Sequence, residues 1–151
     1  MRRFVIALAA SLIVLGCSHP QPDATPEGAL RSWLDHMDAQ TTDPQEAKAA
    51  YALLGPATRK NLERRAERGS QSEGHHIEPY EVLAEGRFAL RFRPKHFVTT
   101  VAEGQATIEV TGEEPSDRAT MHCVKEGRGW RVELGLPEMA EPTRRSDETN
   151  R

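Results

Sequence analysis

The chain has 151 residues, of which 37% are hydrophobic and 28% are charged, and its formal net charge is −3. This length suits one compact domain and excludes two sizeable hydrophobic cores. The mild acidity argues against general nucleic-acid binding, because such binding depends on neutralising phosphates with Lys and Arg.

The first sixteen positions, 1–16, have the order of an export signal. Met1–Arg3 is basic, and Phe4–Leu15 is apolar except for Ser11. This apolar run is shorter than the ~20 residues that a membrane-spanning helix requires. It therefore predicts a signal peptide and not a stable membrane span.

The signal ends in Val14-Leu15-Gly16-Cys17, which resembles the lipobox of bacterial lipoproteins. The resemblance implies cleavage before Cys17 and acylation at Cys17, and the membrane is then the first expected partner. Two or three acyl chains anchor a protein stably, whereas a single chain holds it only marginally. Ser18 replaces the aspartate that favours inner-membrane retention in Gram-negative lipoproteins, which favours the outer membrane and leaves either face open. The alternative is a secreted protein with an incidental cysteine.

The rest of the chain divides into three parts by composition. Residues 17–25 contain the cysteine that the resemblance implies is acylated, followed by a proline-containing tether. Residues 26–136 form the predicted domain. Residues 137–151 are polar and lack aromatic residues, which predicts a disordered tail.

The first half of the domain carries helix signals. Thr25-Pro26 is a capping residue followed by proline at the first helical position, and Asp43 with Glu46 forms a second start signal. Gly55-Pro56 then separates two further segments. The predicted elements are a helix over Pro26–Ala39, a helix from Asp43 to Leu54, a helix over Pro56–Arg68 and a loop over Gly69–His76.

The second half has the period-two pattern of strands. Ile77–Glu85 is open between a short strand and a helical turn, because Pro79 argues against a central strand. The predicted strands are Arg87–Arg93, Phe97–Ala102, Gln105–Thr111, Arg118–Lys125 and Gly129–Gly135. Helices followed by antiparallel strands predict an α+β domain with the N-terminal helices packed on a curved sheet.

This order resembles the nuclear-transport-factor-2-like superfamily, the SnoaL or ketosteroid-isomerase-like cone. The resemblance rests on "TPEGALRSWLDHMDAQ" and "QEAKAAYALLGPATRKNL" followed by the strands, and covers about residues 25–136. It implies a bent sheet that surrounds a hydrophobic pocket. The residues that could line such a pocket are Trp33, Met37, Tyr51, Phe88, Phe92, His122 and Trp130. The alternative is that these side chains fill the core.

The sequence offers no recognisable catalytic set. Enzymes of this superfamily use an acidic base or a His–Asp pair, but Glu109 and Glu133 alternate with apolar strand residues and are expected to face outward. His122 and Cys123 are adjacent on a strand and should point to opposite faces. Cys123 is expected to be a small buried side chain. We therefore assign no catalytic residue.

Two clusters of charged residues are candidates for binding sites. His75-His76 lies near Glu73 and Glu78, but no spaced pair of ligands completes a metal site, so no metal and no cofactor is expected. A basic patch could meet anionic lipid or an acidic partner, or could be a solvated sheet face. This patch consists of Arg87, Arg91, Arg93, Lys95 and His96.

The sequence therefore predicts a non-catalytic envelope lipoprotein that binds an envelope protein or an apolar ligand and no nucleic acid. One alternative is a small lyase or isomerase with its site in the cone. A second is a structural lipoprotein of envelope assembly with a filled cone.

Overall fold

A computed structural model of the protein describes residues 21–40 and 43–139. The described part contains four α-helices followed by a four-stranded antiparallel sheet, which confirms the α+β class. The helices are α1 (Pro26–Ala39), α2 (Pro44–Ala52), α3 (Pro56–Glu73) and α4 (Pro79–Glu85). The strands are β1 (His96–Ala102), β2 (Gln105–Thr111), β3 (Arg118–Glu126) and β4 (Gly129–Glu133).

Each of the first two helices begins where the sequence signals predict. The Thr25 hydroxyl accepts a hydrogen bond from the Gly28 N–H at 3.0 Å, with Pro26 at the first helical position. The Asp43 carboxylate accepts from the Gln45 N–H at 2.9 Å in the same way. These side chains replace hydrogen bonds that the first turn of a helix cannot make internally.

The sheet is a simple meander in the order β1-β2-β3-β4. Its side chains alternate clearly on β2, where Ala106, Ile108 and Val110 are buried and Gln105 and Thr107 are exposed. One face of the sheet is therefore apolar and the other polar, as antiparallel sheets commonly are. We call these the inner and outer faces.

Helix α1 covers the inner face. Its buried residues recur at helical spacing and pack with the inner face of β2, β3 and β4 in one core. The buried residues of α1 are Pro26, Ala29, Leu30, Trp33, Leu34 and Met37. Helix α2 lies against α1, and His36 Nδ1 on α1 contacts Glu46 Oε2 on α2 at 2.5 Å.

The turn between α2 and α3 covers the β4 edge of the sheet. The Gly55 N–H donates to the Val132 carbonyl, and the Val132 N–H donates to the Leu53 carbonyl, both at 2.8 Å. Leu54 forms an isolated parallel bridge with Val132. This edge therefore has backbone hydrogen-bond partners, which an uncovered edge strand lacks.

The prediction of a strand over Arg87–Arg93 is wrong. The segment between α4 and β1 is irregular, although Phe88, Leu90 and Phe92 are half-buried and pack against the core. The alternation of apolar residues therefore reflects burial. Burial alone does not make a strand, because a strand also needs a hydrogen-bonded neighbour.

The prediction of a loop over Gly69–His76 is also wrong for its first residues, which are helical. Helix α3 continues to Glu73 and ends at Gly74, whose φ of 74° is the left-handed conformation that commonly terminates a helix. The Ser70 hydroxyl contributes by donating to the Ala66 carbonyl at 2.7 Å and accepting from the Ile77 N–H at 2.8 Å. The ambiguous segment that follows contains helix α4.

Part of the predicted tether packs on the domain. Pro22–Ala24 forms a short 3-10 turn, and the Asp23 carboxylate accepts a hydrogen bond from Arg131 on β4 at 2.5 Å. The folded part therefore extends to the N-terminal side of Pro26.

The predicted signal peptide, Cys17 and the tail from residue 140 lie outside the described residues. Within the described ranges, no helix is both long enough and apolar enough to cross a membrane.

Candidate functional site

The proposed pocket residues lie mainly inside the hydrophobic core. Trp33 has no exposed surface, and Met37 and Trp130 are almost completely buried. Tyr51, Phe88 and Phe92 are partly buried and pack against the same cluster. These six side chains therefore contact a common core.

The structure does not bring His122 to this cluster. Strand alternation places Cys123 on the inner face and His122 on the outer face, where it is exposed. Its Nδ1 lies 3.5 Å from the Thr107 hydroxyl of the neighbouring strand. Because His122 faces away from the other proposed pocket residues, it could not act on a ligand held among them.

Trp33 contains an unusual polar group for this core. Its indole N–H is buried without a hydrogen-bond partner among the described residues. Buried donors usually have a partner, and an unpaired one costs about 1–3 kcal/mol. Burial of the Trp33 ring therefore stabilises the fold, while its unpaired N–H donor destabilises it.

Cys123 is a buried thiol without the features of a nucleophile. Its Sγ lies 3.7 Å from the carbonyl oxygen of Pro26, to which the thiol can donate. Burial, with a smaller contribution from the negative charge of Glu133, raises the pKa of Cys123 to about 12. The thiol is therefore protonated at neutral pH, whereas catalytic cysteines act as thiolates.

Tyr51 is likewise held in its neutral form. Its hydroxyl donates a hydrogen bond to Glu63 Oε1 at 3.2 Å. Burial and the nearby Glu63 carboxylate raise the pKa of Tyr51 to about 12. This pair connects α2 to α3 and suits a structural contact better than proton transfer near neutral pH.

Glu133 has a function that the sequence did not reveal. It was expected to face outward, but its carboxylate accepts hydrogen bonds from the Ala57 and Thr58 N–H groups at 3.1 and 2.9 Å, and one from the Thr58 hydroxyl. The Thr58 hydroxyl also accepts from the Leu134 N–H at 2.9 Å. Glu133 therefore caps α3, whose own N-cap residue is Gly55 and has no side chain.

Gly55 is required at this position because of that cap. A Cβ atom at residue 55 would collide with the Glu133 carboxylate. The clue in the sequence is a helix that begins at Gly55-Pro56 without a capping side chain. The partner could not be identified locally, because it lies 75 residues away from Thr58.

A surface hollow of about 670 Å3 lies at the end of α3, and its apolar lining includes Ala66, Ile77 and Pro79. Its lining also includes Glu63, Glu67 and the two loop histidines His75 and His76, at which no metal was expected. It is an open surface groove and is separate from the core cluster.

The two histidines at this groove are paired individually with acids. His75 Nε2 lies 3.6 Å from Glu73, and His76 Nε2 lies 3.0 Å from Glu78. All four side chains are substantially exposed. Across the residues that the structure describes, no three His, Cys, Asp or Glu side chains come together as metal ligands.

The basic patch lies mostly on the irregular segment before β1. Its members Arg87, Arg91, Arg93, Lys95 and His96 are exposed. Lys95 Nζ lies 3.7 Å from a Glu113 carboxylate oxygen that is itself largely exposed. Such surface pairs contribute little to stability.

Comparison with known proteins adds no relative to this description. No family model matches the chain, and neither the curated proteins nor the solved structures give a significant match.

Proposed function

We propose that this chain is a lipid-anchored protein of the bacterial envelope whose α+β domain binds a protein partner and catalyses no reaction. The anchor is supported by the order of basic residues, apolar run and Val14-Leu15-Gly16-Cys17. The resemblance to the lipobox assigns the acyl chains to Cys17, and Ser18 in place of the retention aspartate favours the outer membrane. Two or more chains make such an anchor stable.

The observation that favours a protein partner is the packing of the core. The side chains that would line a pocket in an open cone, such as Trp33, Met37 and Trp130, are instead buried against one another. An apolar ligand held at this place would have to displace them. Close-packed cores resist such insertion, so an exposed surface is the better binding site.

The titratable groups support a non-catalytic role. Cys123 is buried and protonated at neutral pH, the Glu133 carboxylate is used as a helix cap, and His122 is exposed on the outer face. A general acid–base pair needs two groups within reach of one substrate atom. These three groups do not provide one, which weighs against the lyase or isomerase alternative.

The anchor would hold the domain close to the bilayer. Five peptide steps separate Cys17 from the folded turn that begins at Pro22, and a fully extended chain spans at most about 17 Å over that distance. The partner would therefore be a protein that reaches the membrane surface or is embedded in it.

The anchor is tested by replacing Cys17 in the full chain and fractionating the cells. Serine has no thiol to acylate. We therefore expect the Cys17→Ser protein either to leave the membrane fraction or to retain its signal peptide uncleaved. Cys123→Ala is the matched control and should remain in the membrane fraction. A Cys17→Ser protein that stayed in the membrane and was cleaved at the same site would contradict the proposal.

The choice between protein partner and apolar ligand is tested by native mass spectrometry of the full chain purified in mild detergent. We expect only masses that a whole number of acylated chains accounts for, with no additional small molecule. A stoichiometric extra mass that is lost on denaturation would support a ligand in the domain and would contradict the filled core.

A further inference from the structure

The two edges of the sheet differ in how they are covered. The β4 edge pairs with the turn Leu53–Gly55, whereas β1 pairs only with β2 among the described residues. Val98 and Val101 on β1 are 62% and 54% exposed. Within residues 21–40 and 43–139, the β1 edge is therefore open to another strand.

Strand β1 lacks the features that usually prevent edge pairing. Its seven residues, HFVTTVA, include no Pro, Lys, Arg, Asp or Glu. Natural edge strands are commonly protected by such residues or by a covering segment. An unprotected edge of this kind favours pairing with a second strand.

The turn after β1 determines which backbone groups face the open edge. Glu103 and Gly104 have φ values of 49° and 79° and connect the paired residues Ala102 and Gln105. A turn of this length joins its flanking residues by a hydrogen bond. Because antiparallel hydrogen bonding alternates along a strand, the N–H and C=O groups of Phe97, Thr99 and Val101 point toward the open edge.

We propose that two copies of this chain associate through β1, with the two strands antiparallel about a twofold axis at Thr99. In this register Phe97 faces Val101 of the second copy. Val98 faces Thr100 of the second copy. The contact joins the two sheets into one continuous sheet and is isologous, as most homodimer interfaces are.

The charges that flank β1 support this register. Lys95 precedes the strand by one residue and Glu103 follows it by one residue. Pairing about Thr99 brings the end of β1 that carries Lys95 beside the turn of the other copy that carries Glu103, so that opposite charges lie near each other at both ends. Cross-strand pairs of opposite charge are favourable, and like charges at the same positions are unfavourable.

The hydroxyl of Thr99 supports the position of the axis. Its Oγ1 is buried and has no hydrogen-bond partner among the described residues. In the proposed dimer the two Thr99 side chains are directly opposite, and rotation about χ1 would turn each buried hydroxyl toward the other, as in paired threonines that share a hydrogen bond. A hollow of about 390 Å3 between Thr99 and the first turn of α1 leaves room beside the strand for side chains of the second copy.

Cysteine cross-linking of the full chain in cells tests the register. Two differently tagged copies are expressed together, one with Val98→Cys and the other with Thr100→Cys, and treated with a thiol oxidant. These positions form a non-hydrogen-bonded pair, whose Cα atoms lie at about 4.5 Å, within the range of a disulfide. We expect a covalent dimer that carries both tags.

The matched controls are cells in which both copies carry Val98→Cys or both carry Thr100→Cys. Identical positions are then diagonal neighbours at about 7–8 Å, so the covalent dimer should be lost. The unsubstituted chain reports any dimer formed through Cys17 or the buried Cys123. Equal cross-linking in all combinations, or none in the mixed pair, would overturn the proposal.

A charge exchange at the axis gives a second test that does not depend on disulfide geometry. Thr99→Lys or Thr99→Glu alone should abolish the dimer in size-exclusion chromatography with light scattering, because each places like charges opposite one another. Mixing the two variants should restore it, which also shows that both fold. Thr107→Lys, at an exposed position of the neighbouring strand β2, should leave the dimer unchanged. A monomeric wild type, or a mixture that remains monomeric, would contradict the contact.

Discussion

At the scale of single residues, Trp33 shows that a buried side chain can contribute strongly while one of its groups is unfavourable. The indole is completely buried, but its N–H has no partner among the described residues. Phenylalanine retains most of the apolar contact and removes the unpaired donor. The two effects of this substitution on stability therefore oppose each other.

We expect Trp33→Phe to lower the free energy of unfolding by less than about 2 kcal/mol, because removal of the donor offsets part of the smaller ring's cavity cost. Trp33→Ala should cost about 3–5 kcal/mol, as large-to-small core changes do. Urea unfolding measures both values. A loss for Trp33→Phe close to that for Trp33→Ala would contradict the offset expected from removing an unpaired donor.

The buried acidic groups predict a loss of stability at alkaline pH. Cys123 has an ordinary pKa of 9.0 that is raised to about 12 in the folded protein. The thiol therefore ionises first in the unfolded chain. Below pH 9 the protonated thiol makes its full contribution to the free energy of unfolding. This contribution is lost as pH rises toward 12, by up to about 1.4 kcal/mol per pH unit. Tyr51 contributes in the same direction from its ordinary pKa of 10.0 to about 12.

Replacing the thiol tests this assignment. Between about pH 9 and about pH 11, the free energy of unfolding of the wild type should fall more steeply than that of Cys123→Ala, which retains only the Tyr51 contribution. Urea unfolding at several pH values gives the two slopes. Identical slopes would show that Cys123 ionises equally in the folded and unfolded states.

At the scale of elements, the Glu133 cap links the end of the sheet to the start of α3. Three hydrogen bonds join one carboxylate to Ala57 and Thr58. A negative charge at this position also interacts favourably with the helix dipole. The cap therefore stabilises both α3 and its docking on β4.

We expect Glu133→Ala to lower the free energy of unfolding by about 2 kcal/mol, near the upper limit for loss of a helix cap. Glu109→Ala is the matched control, because Glu109 is an exposed glutamate on the neighbouring strand β2, and it should change stability by less than about 0.5 kcal/mol. Thermal unfolding of both variants makes the comparison. Similar values for the two would show that the cap contributes nothing.

The elements also show what local sequence can predict. The caps Thr25-Pro26 and Asp43-Pro44 identify α1 and α2, and the turn Glu103-Gly104 identifies the first hairpin, because each signal lies beside the backbone that it shapes. The strand expected over Arg87–Arg93 was wrong, because alternating burial requires only a core contact, whereas a strand requires a partner elsewhere in the chain.

The candidate site was harder to predict than the fold. Periodicity indicated that Trp33, Met37 and Trp130 would be internal, but it could not distinguish the wall of a pocket from the centre of a core. That difference depends on how closely opposite elements approach. The Glu133 cap could not be predicted for a related reason, because its hydrogen-bond partners are distant in sequence.

At the scale of the whole molecule, the proposed anchor at Cys17 lies five residues before Pro22, where the folded turn begins. The short connection would leave the domain little freedom to move away from the membrane. The proposed β1 contact would be favoured in that setting, because anchoring two copies to one surface raises their effective concentration. The proposed anchor would therefore favour the proposed contact between copies.

The most direct test of the central claim is the intact mass of the full chain recovered from the cell envelope and denatured before measurement. We predict a chain that begins at Cys17, lacks residues 1–16 and carries the added mass of two or three acyl chains, all of it on the N-terminal peptide. An unmodified Cys17, or a chain cleaved at another residue, would contradict the lipid anchor and the membrane-bound function built on it.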